Sequence, residues 1–268
     1  MTSAMRIATW NINSVRLRIG HVLRFLRQRQ PDVLCLQETK VINELFPAEP
    51  LRKAGYVHQA INGQKGYHGV AILSRLPFRR TEAIEYCGKG DSRHVSATFE
   101  NGVELHNFYV PAGGDIPDPA VNPKFAHKLD FLREMTRGFE KRRGRNTDPL
   151  VLVGDLNVAP LENDVWSHRQ LLDVVSHTPA ETGLLGEAQA AFEWIDVTRS
   201  IVPHDEKIYS WWSYRARDWE LSDRGRRLDH IWISPGLRGQ ATDHAILKPA
   251  RGWQKASDHV PVMATLAL

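Results

Sequence analysis

Cysteine is scarce in this chain: Cys35 and Cys87 are the only two, far apart and in no metal-binding spacing. That excludes a disulfide scaffold and a structural zinc site, and it points to a reducing compartment, the cytoplasm. Cys35 sits inside an apolar run and reads as a small core residue. No apolar run approaches the about 20 residues that a membrane helix needs. The first residues also lack the basic start and apolar block of a cleavable signal, so neither export nor a membrane partner is expected. Internal repeats, linkers and low-complexity tracts are missing too. Residues 1–268 are therefore expected to form a single domain with residues 1–4 as a flexible tail, although the length permits two.

What is present is ordinary in bulk and uneven in detail. A hydrophobic content of 42% with 25% charged residues suits a globular protein with a sizeable core. The net charge is only +4, yet basic residues gather at Arg16–Arg29, Lys141–Arg145 and Arg215–Arg227. Such clusters suit a polyanionic partner, although they also serve simply to solubilise. Four of the eight tryptophans (Trp211, Trp212, Trp219, Trp232) crowd into one short region.

Hydrophobic patterning predicts an α/β protein in which strands outnumber helices. Met5–Trp10 reads as a strand, and Ile19, Val22, Leu23 and Leu26 fall at helical spacing before Pro31. Asp32–Gln37 reads as a second buried strand, residues 39–68 as loose, and Gly69–Ser74 as a third strand. Val95–Phe99 and Val103–Val110 form a hairpin pair around Asn101-Gly102. A helix is expected along Phe125, Leu129, Leu132 and Phe139, and another near Glu187–Phe192, while Trp166–His168 and its continuation are ambiguous. Ile208–Tyr214, Leu228–Ser234 and Val260–Leu268 read as strands.

The most informative stretch is Leu150–Asn157. Its apolar start fits a strand buried on both faces. Gly154 then lets the backbone turn, and Asp155 and Asn157 emerge at the strand's end. An Asx turn would use the same residues. Acids and amides recur at strand ends in five places, however: Asn11, Glu38, Asp155 with Asn157, Asp229, and Asp258 with His259. Buried carboxylates are costly unless paired or metal-bound. Oxygen donors without a Cys–His cluster favour a hard cation, Mg²⁺ or Mn²⁺, over zinc. Phosphodiester hydrolysis would use such a set: Asp155 to orient and deprotonate water, and His259 to donate to a phosphate oxygen while Asp229 accepts from its other nitrogen.

Seven stretches, in order, make the chain resemble the exonuclease III family of the endonuclease/exonuclease/phosphatase superfamily. They are Trp10-Asn11-Ile-Asn13, Leu36-Gln-Glu38-Thr-Lys40, Gly63-Gln-Lys-Gly66-Tyr-His-Gly69-Val-Ala71, Asn107-Phe-Tyr109-Val-Pro111, Gly154-Asp155-Leu-Asn157, Leu228-Asp229 and Ser257-Asp258-His259. The resemblance implies a four-layer α/β sandwich, two packed and mostly antiparallel β-sheets flanked by helices. It implies Mg²⁺-dependent cleavage of double-stranded DNA at abasic sites and blocked 3′ ends, with 3′→5′ exonuclease action, by a monomer. Glu38 would hold the metal with Asn11 and Asp258 nearby, and Mn²⁺ would substitute. Asp155 and Asn157 would orient water, and Tyr109 with the Asp229–His259 pair would contact phosphate. Lys65 would touch the DNA backbone, and Trp211 and Trp212 would form an aromatic wall for a baseless sugar. Ser14 stands where many relatives carry Gly, Ala112 replaces a polar residue, and the loop Pro160–Arg169 differs, with His168 placed to lie over the DNA end. Two rivals remain: a same-fold phosphatase or phosphodiesterase acting on a non-DNA phosphoester, and a non-enzymatic DNA-binding module.

Overall fold

The computed structural model describes residues 4–268. Its opening unit is β1 (Ala4–Asn11), α1 (Ile19–Arg29) and β2 (Val33–Gln37). β1 and β2 pair in parallel, which requires the crossover that α1 supplies. Then come α2 (Ala48–Lys53), β3 (His58–Asn62), β4 (Val70–Ser74), β5 (Phe78–Glu82), β6 (His94–Phe99) and β7 (Glu104–Tyr109). α3 (Pro123–Glu140) leads to β8 (Leu150–Asp155), followed by α4 (His168–Leu171), α5 (Pro179–Ala191), β9 (Ile195–Asp196) and α6 (Val197–Ile201). The chain closes with β10 (Trp211–Trp212), α7 (Trp219–Ser222), β11 (Gly225–Arg226), β12 (Asp229–Ile233), β13 (Ala241–Ile246) and β14 (Val262–Ala267).

Two six-stranded sheets follow one plan. The first runs β13-β14-β1-β2-β4-β3 and the second β5-β6-β7-β8-β12-β9. Each has a single parallel pair at its centre, β1 with β2 and β7 with β8, and is antiparallel elsewhere. Side chains alternate across each strand. Ile7, Val33, Cys35, Ile72, Val151 and Val153 meet between the sheets. On the outer face of the first sheet, Ala8, Trp10, Leu34 and Leu36 pack against Val22, Phe25 and Leu26 of α1. On the outer face of the second, Phe108, Leu150, Leu152 and Trp232 pack against Phe131, Leu132 and Met135 of α3 and Leu185 of α5. These are the four layers that the resemblance implied, and they explain why the central strands read as unbroken apolar runs.

Several sequence expectations need correcting. The loose stretch 39–68 contains α2 and β3, and β5 and β13 also went unread. β3, β5 and β13 are edge strands, half-buried or exposed, and so they carry no apolar alternation. The strand expected over Ile208–Tyr214 shrinks to β10, because the chain around it is irregular and its tryptophans bury in local clusters. α5 begins well before Glu187, where Thr178 and Glu181 form a capping box. Ala4, expected in a flexible tail, is the first residue of β1 and pairs with Ala267; residues 1–3 lie outside the described residues. Gly154 is no turn. It lies inside β8 with φ +144°, and a Cβ there would stand 1.9 Å from the Phe108 carbonyl oxygen, so close strand approach is what demands glycine.

Candidate active site at the strand ends

β-Sheet geometry delivers the polar residues to one edge. Asn11 and Tyr109 end β1 and β7, Glu38 directly follows β2, and Asp155 ends β8. β12 runs antiparallel to β8 with Asp229 opposite Asp155, so its first residue meets the last of β8. β14 runs antiparallel to β1, and Asp258 and His259 lie just before it. The backbone is strained here. Among the described residues, six of the twelve non-glycine residues with positive φ (Asn13, Ser14, Glu38, Lys40, His68, Asn157) surround the site. Ser14 has φ 85°, a conformation that glycine adopts more easily.

Asp155 is the hub. Its carboxylate accepts from Asn11 Nδ2 at 2.8 Å, from Asn157 N at 3.0 Å and from Asn157 Nδ2 at 3.1 Å. His259 Nε2 stands 3.6 Å from it. Burial, with Asp229 and Glu38 nearby, pushes the Asp155 carboxyl well above the usual carboxylate range despite the His259 ring and the amide donors. His259 Nδ1 lies 2.8 Å from Asp229 Oδ2, which also accepts from Ser210 Oγ at 2.6 Å. Burial opposes charge on the His259 ring, but Asp229 and Asp155 outweigh it and push its pKa up, favouring the imidazolium. Burial and the acids Glu38 and Asp155 push the Tyr109 phenol up, which keeps it a neutral donor.

Glu38 accepts from Asn11 Nδ2 at 2.8 Å and pairs with Lys40 Nζ at 2.8 Å. Burial alone would raise its pKa, but Lys40 and the hydrogen bonds outweigh that and hold it below the usual range. Lys40 continues to Asn13 Oδ1 at 2.6 Å, and Asn13 Nδ2 to Asp258 Oδ1 at 3.1 Å. Trp211 Nε1 donates to Asp258 Oδ2 at 3.0 Å. Burial likewise works to raise the Asp258 carboxyl, and His259 with these donors lowers it.

Four carboxylates (Glu38, Asp155, Asp229, Asp258) thus meet only two cations in direct contact among the described residues, Lys40 and His259. Asp229 Oδ1 is buried without a hydrogen-bond partner. Excess negative charge on oxygen donors fits a hard divalent cation. Asp155, Asp229 and His259 bring ligand atoms within 4.8 Å of one another and could hold a metal ion. His259 and Asp229 also bond each other, while Glu38 and Asp258 both line the open cleft.

The site opens into a cleft of about 630 Å³. Glu38, Asn157, Asp258 and His259 line it together with Trp166, Trp211, Arg224, Arg226 and Leu228. Of the residues singled out from sequence, the structure brings together Asn11, Glu38, Tyr109, Asp155, Asn157, Asp229, Asp258 and His259, with Trp211 at the cleft wall. Three others lie apart. Trp212 is 1% exposed, bonds Asp223 and packs on Tyr209 and Trp219, so it is not part of the wall. His168 pairs with His177 Nε2 at 2.7 Å and is absent from the cleft lining. Lys65 is exposed on its loop and makes no contact with these groups. Sequence reasoning passed over Ser210, which anchors Asp229, and Lys128, fully buried, whose Nζ donates to the Asn157 carbonyl at 2.7 Å. Neither carries a local signal. Lys40, two residues after Glu38, could have been found from spacing alone.

Comparison with known proteins gives concordant results. The profile described as the Endonuclease/Exonuclease/phosphatase family matches residues 8–259. The Exodeoxyribonuclease III of Haemophilus influenzae is 30% identical, over 97% of this chain and 99% of that protein. The structure of an AP endonuclease from Archaeoglobus fulgidus superposes with a TM-score of 0.90 at 31% identity, covering 98% of this chain and 100% of that one. The 3′ phosphatase NExo from Neisseria, bound to product DNA hairpin, gives 0.89 at 29% identity, with 98% and 100% covered.

Proposed function

Because this chain belongs to the endonuclease/exonuclease/phosphatase family, we propose that it is a DNA-repair nuclease that hydrolyses phosphodiesters of duplex DNA at abasic sites and blocked 3′ ends and degrades 3′→5′. The observation that carries this reading is Asp155: a buried carboxylate held by Asn11 and Asn157 and facing the His259 ring.

Asp155, with Asn157, orients the attacking water and takes its proton. Its raised pKa makes it a better base than an ordinary Asp at roughly 3.9. The His259 imidazolium, fixed by Asp229, and the neutral Tyr109 hydroxyl donate to phosphate oxygens as charge grows on them. Glu38, with Asn11 and Asp258, would hold Mg²⁺, and Mn²⁺ would substitute. The ion would neutralise phosphate charge and acidify water. Lys65 meets the DNA backbone, and Trp211 meets the sugar beyond the scissile phosphate. Residues 1–268 act as one domain, a reading supported by the pairing of the first and last strands. The enzyme works as a monomer in the cytoplasm, a reducing compartment that suits its free cysteines Cys35 and Cys87.

The test is a duplex with one abasic site, incubated with Mg²⁺ and again with EDTA. Incision with the ion and none without it is expected. An intact strand under both conditions, alongside hydrolysis of a small phosphoester, would replace DNA as the substrate.

A further inference from the structure

Arg226 and Arg227 are neighbours with opposite surroundings. Successive residues of an extended strand face opposite ways. Arg227 therefore enters a buried network with Asp164 and Asp196, while Arg226 faces the cleft. β11 pairs Arg226 with Trp211, and a further bridge pairs Trp211 with His259, so the three stand side by side across one ribbon. With neighbouring strands about 4.8 Å apart, the backbones of Arg226 and His259 stand roughly 10 Å apart along that row, and both residues line the same cleft. That is about one sugar beyond a phosphate held at His259.

The guanidinium of Arg226 lies 5.2 Å from the centre of the Trp211 ring. Nη1 donates to the Val175 carbonyl at 2.8 Å and to Ser176 Oγ at 2.7 Å. Nε is buried without a partner, and Nη2 has no hydrogen bond to a described residue. Among the described residues no carboxylate forms an ion pair with Arg226. A half-buried cation in a cleft wall, with Nη2 as its spare donor, carries a desolvation cost that an incoming acceptor would offset.

We propose that Arg226 sets the specificity of this cleft, favouring scissile phosphodiesters whose outer group carries an acceptor oxygen, above all a carboxylate, over those whose outer group is apolar. The inference rests on the nuclease reading above. The hydrolysis itself is unaltered: water's oxygen bonds to phosphorus, the P–O3′ bond breaks, and O3′ takes a proton. The outer group then departs as its phosphate monoester, held by Arg226 until release.

Three duplexes test this, identical except at one 3′ end: a plain phosphate, a phosphate capped with glycolate, and a phosphate capped with a neutral ethyl group. The wild-type protein should prefer glycolate over ethyl by about 10- to 100-fold in kcat/KM, the range expected of a hydrogen bond between charged groups. In Arg226→Leu the ratio should fall close to one, and Arg226→Lys should retain part of it. Should Arg226→Leu fail to fold, Arg226→Gln, which keeps a donor for Ser176 without the charge, carries the same comparison. An unchanged ratio in the uncharged variant overturns the proposal, even if all ends are cut more slowly, because Arg226 would then only clamp the Ser176 loop. A wild-type ratio near one, with all three ends cut, sinks this proposal alone. No cutting of any end overturns the proposal, and if the abasic duplex is also left intact the nuclease reading beneath it falls as well.

Discussion

Two of the buried charge clusters in this fold solve the same problem in opposite ways. Around Asp164, Arg227 offers a two-pronged contact, Nε to Oδ1 and Nη2 to Oδ2 at 2.8 Å each, and Arg199 Nη2 adds a third at 2.6 Å. Burial works to raise the Asp164 carboxyl, but the two guanidinium groups outweigh it and hold it below its usual range. Around Asp155 the contacts are amides and one ring at 3.6 Å, and the same burial leaves its carboxyl raised. Matched charge marks a structural cluster. Unmatched charge at an open cleft is what a functional site shows, and it is the feature on which the proposed function rests.

The largest expected effect breaks the structural side. Arg227→Met leaves Asp196 without its ion pair and Asp164 with Arg199 alone, and breaking a buried pair costs about 3–5 kcal/mol. Urea denaturation reads this directly, and a variant as stable as the parent would remove the contrast. Next, Asp155→Asn and His259→Asn should each lower turnover at least ~100-fold while leaving DNA affinity intact, because these groups act on the transition state. Asp155→Asn should also unfold no more easily than the parent, since it removes an unmatched charge. A loss of stability to match Arg227→Met would erase the distinction.

A third prediction concerns pH. His230 is fully buried, and burial together with Arg227 holds its pKa near 4, against an ordinary 6.5. Between those values the unfolded chain binds the proton and the folded one does not. Stability is therefore complete above about 6.5 and falls as pH drops toward 4, by about 3 kcal/mol from this residue. His68 and His244 are lowered to about 4 as well, so His230→Gln should make that slope shallower by one residue's share, measured as Tm against pH; an identical slope would place the proton uptake elsewhere. The smallest effect is expected at His168. Set apart from the cleft, His168→Ala should leave the ratio of abasic incision to 3′-end processing within about twofold, the usual scale of a surface change. A larger shift on matched nicked and intact duplexes would bring His168 back to the DNA.

The contrast between the clusters also explains what could be read from the chain. Central strands such as Leu150–Asp155 announce themselves because both faces are covered. β5, whose residues are mostly exposed, leaves no such trace. The strand-end acids stood out by recurrence, and motif order turned that recurrence into a family. Trp212 misled because two adjacent tryptophans look alike in sequence, while the backbone sends one to the cleft wall and the other into a cluster with Tyr209 and Trp219.

Residue order alone determined the α/β class, the buried central strands and the set of acids and amides poised where those strands end, because period and apolar continuity are local properties. Which of those groups share a proton, which arginine is neutralised and which is left free were decided only by the packed sheets. Antiparallel pairing places Asp229 opposite Asp155 and Arg226 beside Trp211. Burial then sets the charge of each group through neighbours that lie far away along the chain.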